Sequence, residues 1–281
     1  MPIRKIKGGK MKKIKKSLIK GIRRKVIRKM GTSRVNKAAF ISDIHGNLEA
    51  FLAVLKDIIK EDVDKIYCLG DVIGYGANPN ECLELIKELK IDCVRGNHEE
   101  ALIKNECCFT EMALQSIKWT AGVLSEKNYS SLDSFPYLLK CKAGDKSFTI
   151  VHGSNDDPAD FKYIDNVFLA GRSIYKQKLC FTGHSHDPLL FFTGDFLGEK
   201  RVFCDRTHMD VIIKKDMNCI VNVGSVGQPR DKDARACYSI YDLNKNTISW
   251  KRVKYDIKKA QDKILKTDLP ELCAARLDYG N

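Results

Sequence analysis

Five short apolar runs in this chain end in the same way: AAFISDIHGN, KIYCLGDVIGYG, CVRGNHEE, FTIVHGS and LCFTGHSHDP each close on Asp, Asn or His beside a glycine. Strands buried on both faces read as short, near-continuous apolar runs bounded by glycine or polar clusters. AAFI, KIYCL, CV, FTIV, LCFT and CIVNV all have that form. Between the first two, Leu48, Phe51, Leu52, Leu55, Ile58 and Ile59 fall at helical spacing. Between the second and third, Asn78-Pro79 offers a cap and a first-turn proline to a helix carrying Cys82, Leu83, Ile86 and Leu89. Strand and helix in alternation predict an α/β domain with parallel strands.

The residues just past each strand carry the chemistry. In an open parallel sheet the carboxyl ends of the strands share one edge, and ligands bind just beyond it. Five of the six histidines fall in those positions: His45, His98, His152, His184 and His186. In extended backbone His184 and His186 point to the same side, about 7 Å apart at Cα. Imidazole with carboxylate and amide oxygen suits manganese, iron, zinc or nickel. Asp43, His45, Asp71, Asn97, His152, His184 and His186 are too many ligands for one tetrahedral ion. Two ions sharing a bridging carboxylate would use them all, and such pairs clamp the attacking and leaving oxygens of a displacement at phosphorus.

The rest of the chain bounds the setting. No apolar run reaches the roughly 18 residues a membrane-spanning helix needs. Of the net charge of +13, residues 1 to 42 supply 16 positive charges and no negative one, so the remainder carries −3. Residues 1–35 are therefore expected to be a basic tail. Met11, Ile14, Leu18, Ile22, Val26 and Met30 give it an amphipathic helical stripe. The alternatives are a solvated leader, a membrane-surface helix, an arm for nucleic acid, or an organellar transit peptide. Eleven cysteines without a C-x-x-C spacing predict reduced, buried thiols and a cytoplasmic location. Residues 36–281 are expected to form one domain. It has a helical insertion at about 100–140, with Thr110 as cap and Ala113, Leu114, Ile117, Ala121 and Leu124 as buried face. A hairpin around Asn244–Asn246 and one last helix from about Asp256 complete it.

Taken together, D-x-H, G-D, G-N-H-E, H-G and G-H-S-H resemble the signature blocks of the calcineurin-like metallophosphoesterase superfamily, in order across residues 40 to 187. GDVIGYGANP and NVGSVGQPRD resemble its small bacterial and archaeal phosphodiesterase-like branch. The resemblance implies a four-layer α/β/β/α sandwich and two divalent ions, manganese first, with iron, zinc or nickel as alternatives. It implies that Asp43, His45 and His186 hold one ion, that Asn97, His152 and His184 hold the other, and that Asp71 bridges them. Two cations lower the pKa of a water held between them, giving a hydroxide for in-line attack on a phosphodiester or phosphomonoester. His98 is implied as the group that protonates the leaving oxygen, a task suited to a side chain titrating near neutrality.

Arg95 and Arg230 are candidates for contact with phosphate oxygens, each with a salt bridge as its alternative. Asn47 is either a partner behind the ligands or a helix cap. His208 is read as a loop residue without a role. Protein phosphatases of the superfamily continue V-D-R-G after the bridging Asp. Asp71 is followed here by V-I-G-Y-G, which disfavours that activity and leaves the partner of His98 unassigned. The expected partner is a small phosphate-ester substrate, with nucleic acid or an acidic membrane as further candidates through the tail. Nuclease action, dinucleoside polyphosphate hydrolysis and a non-catalytic scaffold on the same fold are the alternative functions. The retention of His98 and all seven ligands argues against the scaffold.

Overall fold

The computed structural model describes residues 35–104, 109–143, 145–206 and 210–281. The basic segment, the Cys107-Cys108 pair and His208 lie outside them. The chain begins β1 (Lys37–Ile41), α1 (Leu48–Lys60), β2 (Lys65–Cys68), α2 (Pro79–Glu88) and β3 (Asp92–Cys93). Helices α3 (Asn97–Lys104), α4 (Glu111–Val123) and α5 (Glu126–Leu132) come next. Then come β4 (Leu138–Ala143), β5 (Lys146–Val151), α6 (Val167–Ser173), β6 (Leu179–Thr182), β7 (Leu189–Phe196), β8 (Glu199–Asp205), β9 (Asp210–Ile212) and β10 (Cys219–Asn222). A hairpin of β11 (Ala236–Asp242) and β12 (Thr247–Val253) leads to α7 (Ile257–Ile264) and α8 (Glu271–Tyr279).

These strands form two six-stranded sheets, ordered β3-β2-β1-β11-β12-β9 and β4-β5-β6-β10-β7-β8. The expectation of parallel strands holds for β1, β2 and β3 and for β5, β6 and β10. It fails elsewhere, because β11, β12, β9, β4, β7 and β8 pair antiparallel on the flanks. Short connections with no intervening helix account for the antiparallel pairs β4–β5, β7–β8 and β11–β12.

The sheets meet across a shared apolar cluster that includes Phe40 and Tyr67 from one and Phe148, Phe181 and Val221 from the other. Phe40 stacks on Phe181 with ring centroids 3.7 Å apart, and Phe148 sets its edge against Phe40 at 5.5 Å. Burial of each such ring contributes about 2–3 kcal/mol. The alternating side chains of β1 and β2, Ala39, Ile41, Ile66 and Cys68, face away from that cluster into another with Phe51, Leu55 and Ile58 of α1 and Leu83 and Ile86 of α2. The second sheet likewise turns Val151, Cys180 and Ile220 toward Ala170 of α6. Helices therefore cover the outward face of each sheet.

Local chemistry explains the helix starts. Asn47 caps α1 by accepting from the Ala50 N–H at 3.1 Å, and Glu49 in the first turn and Lys60 in the last complement the helix dipole. Thr110 caps α4 as expected. Asn78 precedes Pro79 of α2, but its side chain makes no cap bond; it is spent on Glu81 and Lys263. Two further expectations are corrected. Ala121 is exposed, since α4 buries Ala113, Ser116, Ile117 and Thr120. After Asp256 the chain forms two packed helices, because Pro270 breaks the run and starts α8. The nine described cysteines are free, and all but Cys141 and Cys204 are buried. Among the described residues no helix is long and apolar enough to cross a membrane.

Candidate metal centre

Every parallel strand delivers its carboxyl end to one edge, and the loops there are laced together by main-chain bonds. Asp43 N–H donates to Gly70 O at 3.1 Å, His45 N–H to Asp71 O at 2.9 Å and Gly46 N–H to Val72 O at 2.9 Å, joining the loops after β1 and β2. Gly227 N–H donates to Asp43 O at 2.9 Å and Gly183 N–H to His152 O at 2.9 Å, which draws in the loops after β10, β5 and β6. Asp43, His45, Asp71, His184 and His186 all sit in left-handed backbone, with φ between 48° and 68°. That conformation costs about 1–2 kcal/mol per non-glycine residue and persists where surroundings impose it. Gly96 is required by proximity: a Cβ there would fall 2.1 Å from Asp71 Oδ1.

The buried side chains converge in two groups that share one carboxylate. Ligand atoms from Asp43, His45, Asp71 and His186 all lie within 4.8 Å of one another, as do those from Asp71, His152 and His184. In the first group His45 Nε2 is 3.1 Å from His186 Nε2, and His186 Nε2 is 3.3 Å from Asp43 Oδ1. In the second, His152 Nε2 lies 3.3 Å from Asp71 Oδ2, 3.1 Å from His184 Nδ1 and 3.0 Å from Asn97 Oδ1. The opposite ring nitrogens are occupied. Nδ1 of His45, His152 and His186 faces Ile73 O at 2.9 Å, Leu69 O at 2.6 Å and Gln228 O at 2.6 Å. Donation from Nδ1–H leaves the Nε2 lone pairs turned inward, the tautomer a metal ligand needs.

Electrostatics agree with a place for cations. Burial alone would raise the Asp43 and Asp71 carboxyls, but the neighbouring imidazoles outweigh it and hold both well below the usual carboxylate range. Burial, and then mutual repulsion with His98, lowers His45; burial and the charge of His152 bring His184 down to about 3. Burial opposes charge on His152 as well, yet Asp71 and Asp43 overcome it and push that ring up to about 10, a proton standing where a cation would be welcome. Asp43 Oδ1 is buried without a hydrogen-bond partner. Inward lone pairs, an orphaned carboxylate oxygen and a mixed N/O donor set fit divalent transition-metal ions.

The sequence of this chain matches the calcineurin-like phosphoesterase superfamily domain over residues 37–246. The chain belongs to that superfamily. It is 40% identical over 249 residues to the uncharacterized protein MJ0912 of Methanocaldococcus jannaschii, covering 86% of this chain and 97% of that protein. Its fold is similar to a metallophosphoesterase from Sphaerobacter thermophilus, with TM-score 0.74 and 33% identity over 88% of this chain and 100% of that one. It is also similar to the hypothetical protein PH1004 from Pyrococcus horikoshii, with TM-score 0.71 and 21% identity over 87% and 98% of the two chains. The mixed α/β fold with two sheets is that of metallophosphoesterases.

Around this cluster the other candidates take distinct places. His98 is buried, with Nε2 4.0 Å from Asp71 Oδ2 and Nδ1 without a partner. Its ring is held by packing, with centroids 4.7 Å from Tyr75 and from His45 and 5.1 Å from Phe109. Gly74 makes room for it, since a Cβ there would lie 2.1 Å from His98 Nδ1. The expectation of a near-neutral pKa is corrected: burial, only partly offset by Asp71, pushes His98 down to about 4.

Arg95 is also corrected. Its five N–H donors go to Phe135 O, Glu100 Oε2, the Tyr137 hydroxyl, Asp133 O and Asp133 Oδ1, so none is left for a phosphate. It braces the chain between α3 and the segment before β4. Arg230, by contrast, keeps a buried Nε without a partner. Asn47 fills both of its expected places, capping α1 and donating from Nδ2 to Gly227 O at 2.9 Å, one residue before the Gln228 carbonyl that orients His186.

Glu99 is a site residue that the sequence pattern does not single out. Its buried carboxylate accepts from the N–H groups of Asp71, Val72, Ile73 and Gly96 at 2.8 to 3.2 Å, pinning the loops after β2 and β3 together. Burial and the Asp71 charge push it up to about 7 against the pull of those donors. Its one hint in the sequence is its place within the G-N-H-E block.

Proposed function

We propose that this chain hydrolyses phosphoric esters with two divalent transition-metal ions. Asp43, His45 and His186 would hold one, Asn97, His152 and His184 the other, with Asp71 shared; the donor set suits manganese, iron, zinc or nickel. The observation that carries this reading is the membership of Asp71 in both ligand groups. Bound ions at such a site supply acidity to a water and neutralise the non-bridging oxygens of a phosphate.

The chain's own residues do the rest. Main-chain oxygens of Ile73, Leu69 and Gln228 hold three imidazoles in the ligating tautomer. Arg230, whose buried Nε has no partner, would donate to a phosphate oxygen. His98 gives a proton to the departing oxygen. It is neutral in the free protein, but the negative charge of a bound ester raises its proton affinity, as Asp71 already does in part.

The test is an assay of metal-reconstituted protein against bis(4-nitrophenyl) phosphate, 4-nitrophenyl phosphate, a dinucleoside polyphosphate and single-stranded DNA. At least one is expected to be hydrolysed, and His98→Ala should reduce that rate by about 10²–10⁴-fold with metal content unchanged. An equal rate in the variant removes the assigned role of His98. A chain that holds both ions and hydrolyses none of the panel overturns the enzyme reading.

A further inference from the structure

The half of the ligand cluster that contains Asn97 and His184 borders a cleft of about 350 Å³, within the roughly 300–1,000 Å³ of small-molecule pockets. The walls of this cleft are aromatic. Phe109, between α3 and α4, and Phe161 and Tyr163, between β5 and α6, line it together with Ala101 and the two ligand candidates. Each ring also rests on an imidazole of the centre. Centroids are 5.1 Å apart for Phe109 and His98, 6.0 Å for Phe161 and His152, and 3.8 Å for Tyr163 and His184. The Tyr163 ring stacks on His184 at an interplanar angle of 20°, is exposed, and meets no other ring among the described residues.

The wall is built rather than incidental. Phe161 has a φ of 49°, left-handed backbone that is unfavourable for a bulky side chain and recurs at ligand clamps. Gly153, next to His152, allows that segment its close approach: a Cβ there would fall 2.9 Å from the Phe161 carbonyl carbon. The charges of the rim are already paired. Lys104, the one cation among the described lining residues, lies 2.5 Å from Glu100 Oε1, and Asp160 Oδ2 lies 2.5 Å from Lys162 Nζ. With no unpaired cation in its lining, the cleft does not suit a second anion. Aromatic walls with one exposed ring suit a flat, uncharged ring.

We propose that this cleft is a subsite for a flat aromatic group carried by the ester, stacked against Tyr163 and flanked by Phe109 and Phe161. This rests on the reading of the cluster as a phosphoester site. The substrate class is then an aryl or a nucleoside phosphoric ester, and Tyr163 is the specificity-determining residue for its ring.

The experiment is a calorimetric titration of the metal-loaded full chain, in excess metal, with phosphonates, whose carbon–phosphorus bond resists hydrolysis. Benzylphosphonate is paired with cyclohexylmethylphosphonate, and 9-(2-phosphonomethoxyethyl)adenine with 2-hydroxyethoxymethylphosphonate, which lacks the base. For an aryl ester the aromatic member of the first pair should bind about three- to tenfold more tightly. For a nucleoside ester the gap should fall in the second pair and reach about tenfold or more. A gap in either pair supports the subsite and tells which group the ester carries. Tyr163→Ala should bring the affinities of that pair within about twofold of each other, and Tyr163→Phe should retain the gap. Equal affinities within both pairs, failure of every phosphonate to bind, or a Tyr163→Ala chain of unchanged melting temperature and metal content that keeps the full gap would each overturn the proposal. Hydrolysis is not read. A gap with every ester left intact counts against the enzyme reading alone, and turnover of an ester without a gap counts against the subsite alone.

Discussion

The two halves of the ligand cluster are built to different standards of rigidity. Around Asp43, both imidazoles, His45 and His186, are fixed through Nδ1 on main-chain oxygens. The loops that carry those oxygens are tied in turn by Asn47, and by Ser225, whose hydroxyl donates to Asp43 O at 2.9 Å. Around Asn97, only His152 is fixed in that way. His184 turns its Nδ1 to His152 and is covered by Tyr163, a ring that is 46% exposed at the edge of a cleft lined also by Phe109 and Phe161. A ligand whose other nitrogen is already bonded loses little freedom on binding and is presented in one tautomer. The first half is the preorganised one, and the second is the half that meets solvent.

The largest effect should come from the residue the halves share. Asp71→Asn should lower the metal content of reconstituted protein from about two ions to well under one and reduce hydrolysis by about 10³-fold or more, the several kcal/mol that bound ions contribute. Full occupancy of both positions in that variant would show that the halves do not share a ligand. Next in size, His186→Ala and His184→Ala should each lose one ion by elemental analysis after dialysis, with affinity at the altered half down by about 100-fold. The loss should be steeper for His186→Ala, and the reverse order would invert the contrast. The smallest effect should come from Asn47→Ala. Loss of the cap lowers stability by about 1–2 kcal/mol in a denaturant titration. Release of the Gly227 loop should weaken the first half by about tenfold and leave the second unaltered; equal weakening of both would mean the tie is not local.

Legibility in the sequence tracks strand type. The six parallel strands, β1, β2, β3, β5, β6 and β10, are the ones that stand out as apolar runs. Most are buried on both faces, as KAAFI, LCFT and CIVN are, so nearly every side chain is apolar. They are also the strands that lead into the cluster. The flanking strands β4, β8 and β9 leave no such mark. LLKCKA, EKRVFCD and DVI face solvent on one or both sides, and their lysines and acids mask the period. β7, LLFFTGDF, is hidden because its apolar half runs on directly from G-H-S-H-D-P.

The site shows the same division. The seven ligand candidates are legible because each comes just after a readable strand, whereas the choice for Arg95 between phosphate and salt bridge is left to the fold, because the partners of its guanidinium are 5 to 42 residues away. Glu99 escapes notice for a related reason: its four acceptor bonds go to main-chain groups, which every sequence has and none displays.

The parallel strands, the edge where chemistry gathers and the donor set suited to divalent ions were written in the one-dimensional pattern, since burial and strand ends both leave periodic and compositional marks. The tertiary structure alone decided which nitrogen of three imidazoles faces inward, that five of the ligand-bearing residues adopt left-handed backbone, and that Glu99 ties the loops after β2 and β3 together. Those features depend on main-chain oxygens and on distances across the fold, and neither has a counterpart in the identity of the residue that bears it.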